Sequence, residues 1–297
     1  MDNLEKKRVV ITKLKKELFL DTKSDVNHEM MVILVYENER LTDISCYPVE
    51  ETSLLGNIYI GKVQNIVKNL NAAFIQFSEQ EKGYYSLENF KTPVFTKKIG
   101  KKPLCIGDEL LVQVEREAIK TKDPYLTTNL NLSGEYLVLT AEDTKVGVSM
   151  KLDKETRSRL KELLELHKQD EYGIIVRTNA KNASDSDILQ ELEKLEKDFF
   201  HIKETSVHKT CYSLVYQPPK GVLKFLQDMN LHALQEIVTD DAILYEMISS
   251  YYKGNANFKG NIRFYEDNLL PLYKLYSIEN ELKKALKKKV WLKSGAY

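Results

Sequence analysis

Two aromatic residues, Phe74 and Tyr84, carry the first chemical suggestion in this chain. Phe74 stands in the apolar run AAFIQF and Tyr84 opens the aromatic pair of KGYYSL. On a small β-barrel, rings facing outward on the middle strands become platforms for nucleobases, each stacked base contributing roughly 1–3 kcal/mol. The same two rings would serve equally well as core side chains, and the strand pattern alone leaves both readings open. Two basic runs offer phosphate chemistry. Lys97, Lys98, Lys101 and Lys102 surround Gly100 in an expected barrel loop and suit phosphate contact. Lys283, Lys284, Lys287, Lys288 and Lys289 fall on an expected helix and read as a solvated face that complements the helix dipole.

These residues need elements to hold them. From Gly56 to Phe90, alternation in NIYIGKVQNIV, a turn at KNLN, the run AAFIQF, a polar turn SEQEKG and YYSL give three short strands at the spacing of an OB-type barrel. The barrel is expected to run to about Thr128. Before it lie strand-like RVVIT and MMVILVY. After it come a strand YLVL, a helix from about Asp153 to His167 striped by Leu160, Leu163 and Leu164, and a strand GIIVRT. A second helix opens at Ser184 with Asp187 three residues on, a capping-box-like start, and is striped by Ile188, Leu192, Leu195 and Phe199. From about Lys209 the pattern predicts a strand CYSLVY, a helical segment near Val222 to Met229, a strand EIVT, a helix from Asp240 to Tyr251 and a strand IRFYE. A last helix is expected with Ser277 as its N-cap and Ile278, Leu282, Ala285 and Leu286 on one face.

Composition narrows the classes. The 297 residues, 42% hydrophobic and 30% charged, suffice for two or three compact units. Lysine and arginine total 44 against 44 aspartate and glutamate, which argues against wrapping long duplexes by bulk electrostatics and in favour of local contacts. No run approaches the roughly 18 apolar residues that span a bilayer, and MDNLEKKRVV lacks a secretory apolar stretch, so a cytoplasmic protein is expected. Cys46, Cys105 and Cys211 have neither C-x-x-C spacing nor an even count, and read as buried free thiols rather than a metal site or disulfides.

The chain resembles the ribonuclease E/G family of bacterial endoribonucleases. The resemblance is carried in order by GNIYIGKV, NAAFIQF, KGYYSL, GDELLVQVEREAIKTKDPYLTTNLNLSGEYLVL, VGVS, YGIIVRTNA, ILYEMISSYY and NIRFYEDNLLPLYKLYSIENELKKALKKKVWLKSGAY. It implies an α+β multidomain fold: an RNase H-like domain with an inserted S1-type (OB-fold) β-barrel and an α/β 5′-sensor domain. The implied boundaries are 1–55 and 209–286 for the RNase H-like parts, 56–128 for the barrel, 129–208 for the sensor and 287–297 for the start of a DNase I-like segment. The RNase H-like region is structural in that family.

Residue roles follow from the same resemblance. The family's base-contacting aromatics fall on Phe74 and Tyr84, where the tyrosine hydroxyl is a departure that preserves the ring. Its phosphate-contacting lysine falls on Lys122 of TKDPYLTT, with Arg116 a further candidate on that face. The pocket for an RNA 5′-monophosphate falls on Gly134, Val138, Arg177 and Thr178. A guanidinium fork, a hydroxyl and backbone amides near a glycine suit a phosphate. Ser149-Met150-Lys151 departs from the arginine pair usual after that serine.

Family members continue into the DNase I-like domain whose two aspartates hold catalytic Mg²⁺, and then a zinc-binding cysteine motif; this chain ends at Tyr297. The expectation is an RNA-binding N-terminal region of an Mg²⁺-dependent endoribonuclease that acts on single-stranded regions of rRNA precursors and mRNA. On this expectation the chain alone holds no metal and does not cut RNA, and its expected partners are single-stranded RNA and a second copy of itself in a homo-oligomer. The alternatives are a non-catalytic protein that captures RNA ends, or a barrel serving as a protein-interaction module.

Overall fold

The computed structural model describes residues 6–15, 29–49, 52–89, 91, 93–229, 233–253 and 258–290. In chain order the strands and helices are β1 (Lys7–Lys15), β2 (Glu29–Glu37), β3 (Arg40–Pro48), β4 (Ile58–Val67), β5 (Ala72–Gln76), β6 (Lys82–Ser86), β7 (Phe95–Lys97), β8 (Glu109–Arg116), β9 (Tyr125–Thr127), β10 (Asn131–Ser133), β11 (Leu137–Thr140), β12 (Val146–Val148), α1 (Lys154–His167), β13 (Gly173–Val176), α2 (Asp185–Ser206), β14 (Leu214–Tyr216), α3 (Gly221–Gln227), β15 (Leu234–Thr239), α4 (Ala242–Tyr252), β16 (Asn261–Phe264), α5 (Leu272–Leu275) and α6 (Ile278–Ala285). They form two compact units, one of Met1–Glu51 with Lys220–Tyr297, the other of Thr52–Pro219.

The first unit is a five-stranded sheet in the order β16-β15-β1-β2-β3. β1, β2 and β3 are antiparallel neighbours, while β15 runs parallel to β1 and β16 parallel to β15. Helices cover both faces, which is why RVVIT and MMVILVY are continuous apolar runs rather than alternating ones. Val9, Ile11, Ile33 and Val35 pack with Val222 and Leu226 of α3 and Leu244 and Ile248 of α4. Val10, Val32 and Leu34 point the other way, against Leu272 of α5 and Ile278 and Leu282 of α6.

The second unit holds the barrel. β4, β5, β6, β9 and β8 pair in succession, and β8 returns to β4, closing a five-stranded ring consistent with an OB-fold. Its one parallel step is β6 to β9. The interior is filled by Val63, Ala73, Ile75, Phe77, Tyr85, Leu110, Val112, Val114 and Leu126. Alternate residues of β4 and β8, namely Ile58, Ile60 and Leu111, face a second core shared with the α/β part. There a sheet in the order β10-β11-β13-β12 packs against Leu160 and Leu164 of α1 and Ile188, Leu192, Leu195 and Phe199 of α2.

Local chemistry accounts for most element ends. Asp153 caps α1 by accepting from the Thr156 amide, and Ser184 with Asp187 forms a complete capping box on α2. Several expectations are corrected. Ser277 has φ 50 and ψ 35, a left-handed conformation outside the extended region from which a cap side chain bonds, and it makes no cap hydrogen bond. Helix α6 stops at Ala285, so Lys287, Lys288 and Lys289 lie past its end. Helix α4 begins at Ala242 with Asp241 as its N-cap, not at Asp240. CYSLVY is extended only at Leu214–Tyr216, and that strand hydrogen-bonds to β4, so residues up to Pro219 join the barrel-containing unit rather than beginning a unit at 209. The three cysteines are free, but Cys46 is exposed and Cys105 and Cys211 are only half-buried. The segment expected to open a DNase I-like domain falls, from residue 291 on, outside the described residues. Among the described residues no helix is long and apolar enough to cross a membrane.

Candidate nucleic-acid interface

The barrel presents a row of rings on its outer face. Phe74 on β5 lies directly opposite Tyr84 on β6, and Tyr84 directly opposite Tyr125 on β9. Cross-strand partners share a sheet face, so the three rings point the same way. Phe74 and Tyr84 are 6.1 Å apart between centroids in a T-shaped contact, and Tyr84 and Tyr125 are 5.4 Å apart. Arg116 on β8 pairs with Tyr125 and sets its guanidinium carbon 5.4 Å from the ring centroid. None of the three rings belongs to the barrel's core; the neighbouring Tyr85 takes the inward place and bonds Thr128 at 3.1 Å. The alternatives left open by the strand pattern are therefore separated: Phe74 and Tyr84 are half-buried surface rings.

The row depends on close approach of β9 to β6. A Cβ on Gly83 would come within 3.0 Å of the Pro124 carbonyl oxygen and would run into the Leu126 side chain. Without that clearance the Tyr84 amide would not reach the Pro124 carbonyl at 2.8 Å, and Tyr125 would not sit beside Tyr84. Tyr125 was not singled out from sequence, because nothing in DPYLTT marks a three-residue strand that pairs in parallel with β6.

Lys122 is exposed in the connection from β8 to β9, where its amide bonds the Ile119 carbonyl at 3.0 Å and Lys120 is left-handed at φ 56. It stands three residues before Tyr125. The other lysine run is less available than its sequence suggests. Lys98 pairs with Asp108, whose side chain is fully buried, and lies 4.6 Å from the Phe95 centroid. Asp108 also accepts from the Ile99 and Cys105 amides at 2.8 and 2.7 Å. Burial alone would raise the Asp108 carboxyl, but the Ile99 amide, the Lys98 ammonium and the Cys105 amide together hold it below the usual carboxylate value. Lys98 thus locks a loop, leaving Lys97, Lys101 and Lys102 exposed around it.

The α/β part gathers the second set of residues at one turn. The β10–β11 hairpin closes through the Gly134 amide on the Leu137 carbonyl at 2.8 Å. The Arg177 side chain donates to the Gly134 carbonyl at 2.6 Å, and its amide to the Tyr136 carbonyl at 2.7 Å. From the other side Glu191 of α2 accepts from the amides of Glu135, Tyr136 and Leu137 at 2.7 to 2.8 Å. Burial raises the Glu191 carboxyl and outweighs those three amides and the Arg177 charge, which lower it. Thr178 is exposed, its hydroxyl 3.1 Å from that of Ser149, and Val138 is half-buried opposite Ser133 and Ile175. Val138 thus lies on β11, Gly134 in the turn before it, and Arg177 and Thr178 directly after β13, the strand that pairs with β11, with Arg177 and Gly134 in contact. Glu191 was seen in the sequence only as a helix residue; its spacing from the hairpin carried no signal. Among the described residues no three or more His, Cys, Asp or Glu side chains are grouped so as to hold a metal ion.

The architecture is that of an α+β protein with a closed OB-type barrel whose outer face carries aromatic and basic side chains. A family model described as the ribonuclease E/G family matches residues 131–297, more than half of the chain. The chain is 30% identical over 278 residues to ribonuclease E of Buchnera aphidicola subsp. Schizaphis graminum, covering 90% of itself and 28% of that protein. It is 27% identical to ribonuclease E of Escherichia coli (strain K12), covering 90% of itself and 26% of the relative. With ribonuclease G of Haemophilus influenzae it shares 26% identity, covering 89% of itself and 56% of the relative. The chain belongs to the ribonuclease E/G family. It spans between about a quarter and just over half of the length of these relatives.

Proposed function

We propose that this chain is the RNA-engaging region of a cytoplasmic endoribonuclease of the ribonuclease E/G family, acting on single-stranded segments of rRNA precursors and mRNA. The observation that carries the reading is the row Phe74–Tyr84 on the outside of the barrel, with ring centroids 6.1 Å apart and neither ring used in the core. Stacking on such rings needs unpaired bases and tolerates any base, because every base has a π-face. Arg116 and Lys122 supply phosphate contacts at the same end of the barrel sheet. The S1-type reading of the barrel rests on this surface.

Gly134, Val138, Arg177 and Thr178 form the pocket for a 5′-monophosphate in this reading. Its support is that the Gly134 carbonyl orients the Arg177 guanidinium, and that the following residue, Thr178, is exposed. The sheet order β16-β15-β1-β2-β3, three antiparallel strands and two parallel ones, supports an RNase H-like assignment for the first unit. In the whole enzyme Mg²⁺ would activate water for phosphodiester hydrolysis; the residues described here contribute binding and end selection.

The test is direct. Phe74→Ala and Tyr84→Ala, each verified as folded by circular dichroism, should weaken a short single-stranded RNA by roughly 1–3 kcal/mol in fluorescence anisotropy. Wild-type affinity in both variants would overturn the proposal.

A further inference from the structure

We infer that Tyr125 is a third base platform, so that the outer face of the barrel holds three successive unpaired nucleobases and not two. The inference rests on the RNA-binding reading above and extends it by one nucleotide. Three observations carry it. The rings are in register: Phe74 faces Tyr84 and Tyr84 faces Tyr125, while Arg116 comes to pair with Tyr125 across an irregularity in β8 between Val114 and Arg116. The steps are similar, 6.1 Å and then 5.4 Å between ring centroids, close to the 4.7–4.9 Å between paired strands. An RNA strand crossing the sheet therefore meets one ring for each β-strand it passes. Finally, the Tyr125 ring has no place in the barrel core, which is filled without it.

Arg116 defines the end of the row. It is exposed, its guanidinium lies over the outermost ring, and its planar fork suits a phosphate next to a stacked base. Of the flanking carboxylates on β8 and beyond, Glu117 is turned to the Leu54 amide at 3.0 Å. The ligand class that fits is single-stranded RNA of three or more nucleotides, read without base preference.

The full chain would be titrated with oligoadenylates of two to six nucleotides, following chemical shifts so that weak binding is measurable. Tyr125→Ala and Tyr125→Leu should bind the trinucleotide and longer RNAs about 5- to 150-fold more weakly than wild type. Both should keep dinucleotide affinity within about twofold, since Phe74 and Tyr84 still supply two platforms. Tyr125→Phe should match wild type at every length, because the ring and not the hydroxyl is the platform. Wild-type affinity for long RNAs in both Tyr125→Ala and Tyr125→Leu overturns the inference, as does equal weakening of dinucleotide and longer RNAs, which would make Tyr125 a support for Tyr84. Phe74→Ala separates the two levels. If it weakens all lengths while Tyr125→Ala weakens none, only the third platform fails; if neither it nor Tyr84→Ala weakens any length, the RNA-binding reading fails with it.

Discussion

The carboxylate of Glu191 lies where a side chain on residue 134 would begin. A Cβ built on Gly134 collides with that carboxylate, while the same carboxylate takes the amides of Glu135, Tyr136 and Leu137. The hairpin turn is thus clamped from two sides, its amides by Glu191 and its Gly134 carbonyl by Arg177. The glycine is needed for close approach and not for an unusual backbone angle.

Gly134→Ala should therefore push Glu191 off the turn and release Arg177 from its carbonyl. A loss of about 1–3 kcal/mol in urea unfolding is expected, the cost of leaving buried polar groups unpaired. Discrimination between RNA ends should fall in the same variant. An alanine variant with wild-type stability would mean that the helix carrying Glu191 yields more easily than its packing suggests.

Much of this arrangement could be read in the sequence, and the remainder has physical reasons for being hidden. Ser184 and Asp187 announce α2 because a capping box is local, needing only a four-residue window. The strands Ile58–Val67, Ala72–Gln76 and Lys82–Ser86 are legible for the same reason: short apolar runs separated by polar turns. The place of Tyr125 beside Tyr84 and the pairing of β14 with β4 are not, because each is set by a strand distant in the chain, β6 and β4 respectively. Lys98 looks like its exposed neighbours until the fold buries Asp108 beneath it. Arg177 and Thr178 were singled out by resemblance to a family; two residues at a strand end carry no such signal in themselves.

Arg177 and end recognition form the second prediction. RNA with a 5′-monophosphate should bind more tightly than the same RNA with a 5′-hydroxyl, because only the former accepts charge-assisted bonds from the guanidinium. Arg177→Ala should abolish the difference. Arg177→Lys should restore little of it, since a lysine cannot reproduce the planar fork while also reaching the Gly134 carbonyl. Competition anisotropy at low salt measures this, and equal binding of both ends by the wild-type chain would count against the pocket.

Lys122 provides a third. As an exposed lysine on the loop that leads into Tyr125, it should contact phosphate and not base. Lys122→Ala should weaken RNAs of different sequence to the same extent and lower the slope of log affinity against log salt by about 0.7, the single-strand value for one phosphate contact. An unchanged slope would remove Lys122 from the interface.

The final prediction concerns acid stability at Asp108. Its carboxyl is fully buried yet held below the ordinary value of 3.8 by the Ile99 amide, the Lys98 ammonium and the Cys105 amide, which together outweigh burial. A carboxyl depressed in the folded state binds fewer protons there than in the unfolded chain, so its stabilisation is present above the unfolded value and disappears as pH falls through the folded one. Asp108→Asn should cost about 1–3 kcal/mol at pH 7, because the amide accepts fewer of the three bonds and brings donors toward Lys98. Below pH 3.8 the gap between wild type and variant should narrow, since the unfolded wild-type chain takes up the Asp108 proton there before the folded state does. Urea unfolding at pH 7 and at successive points below pH 4 follows both. A gap that is constant across that range would mean that the loop is held by the backbone and by Phe95 packing, with the charge on Asp108 contributing nothing.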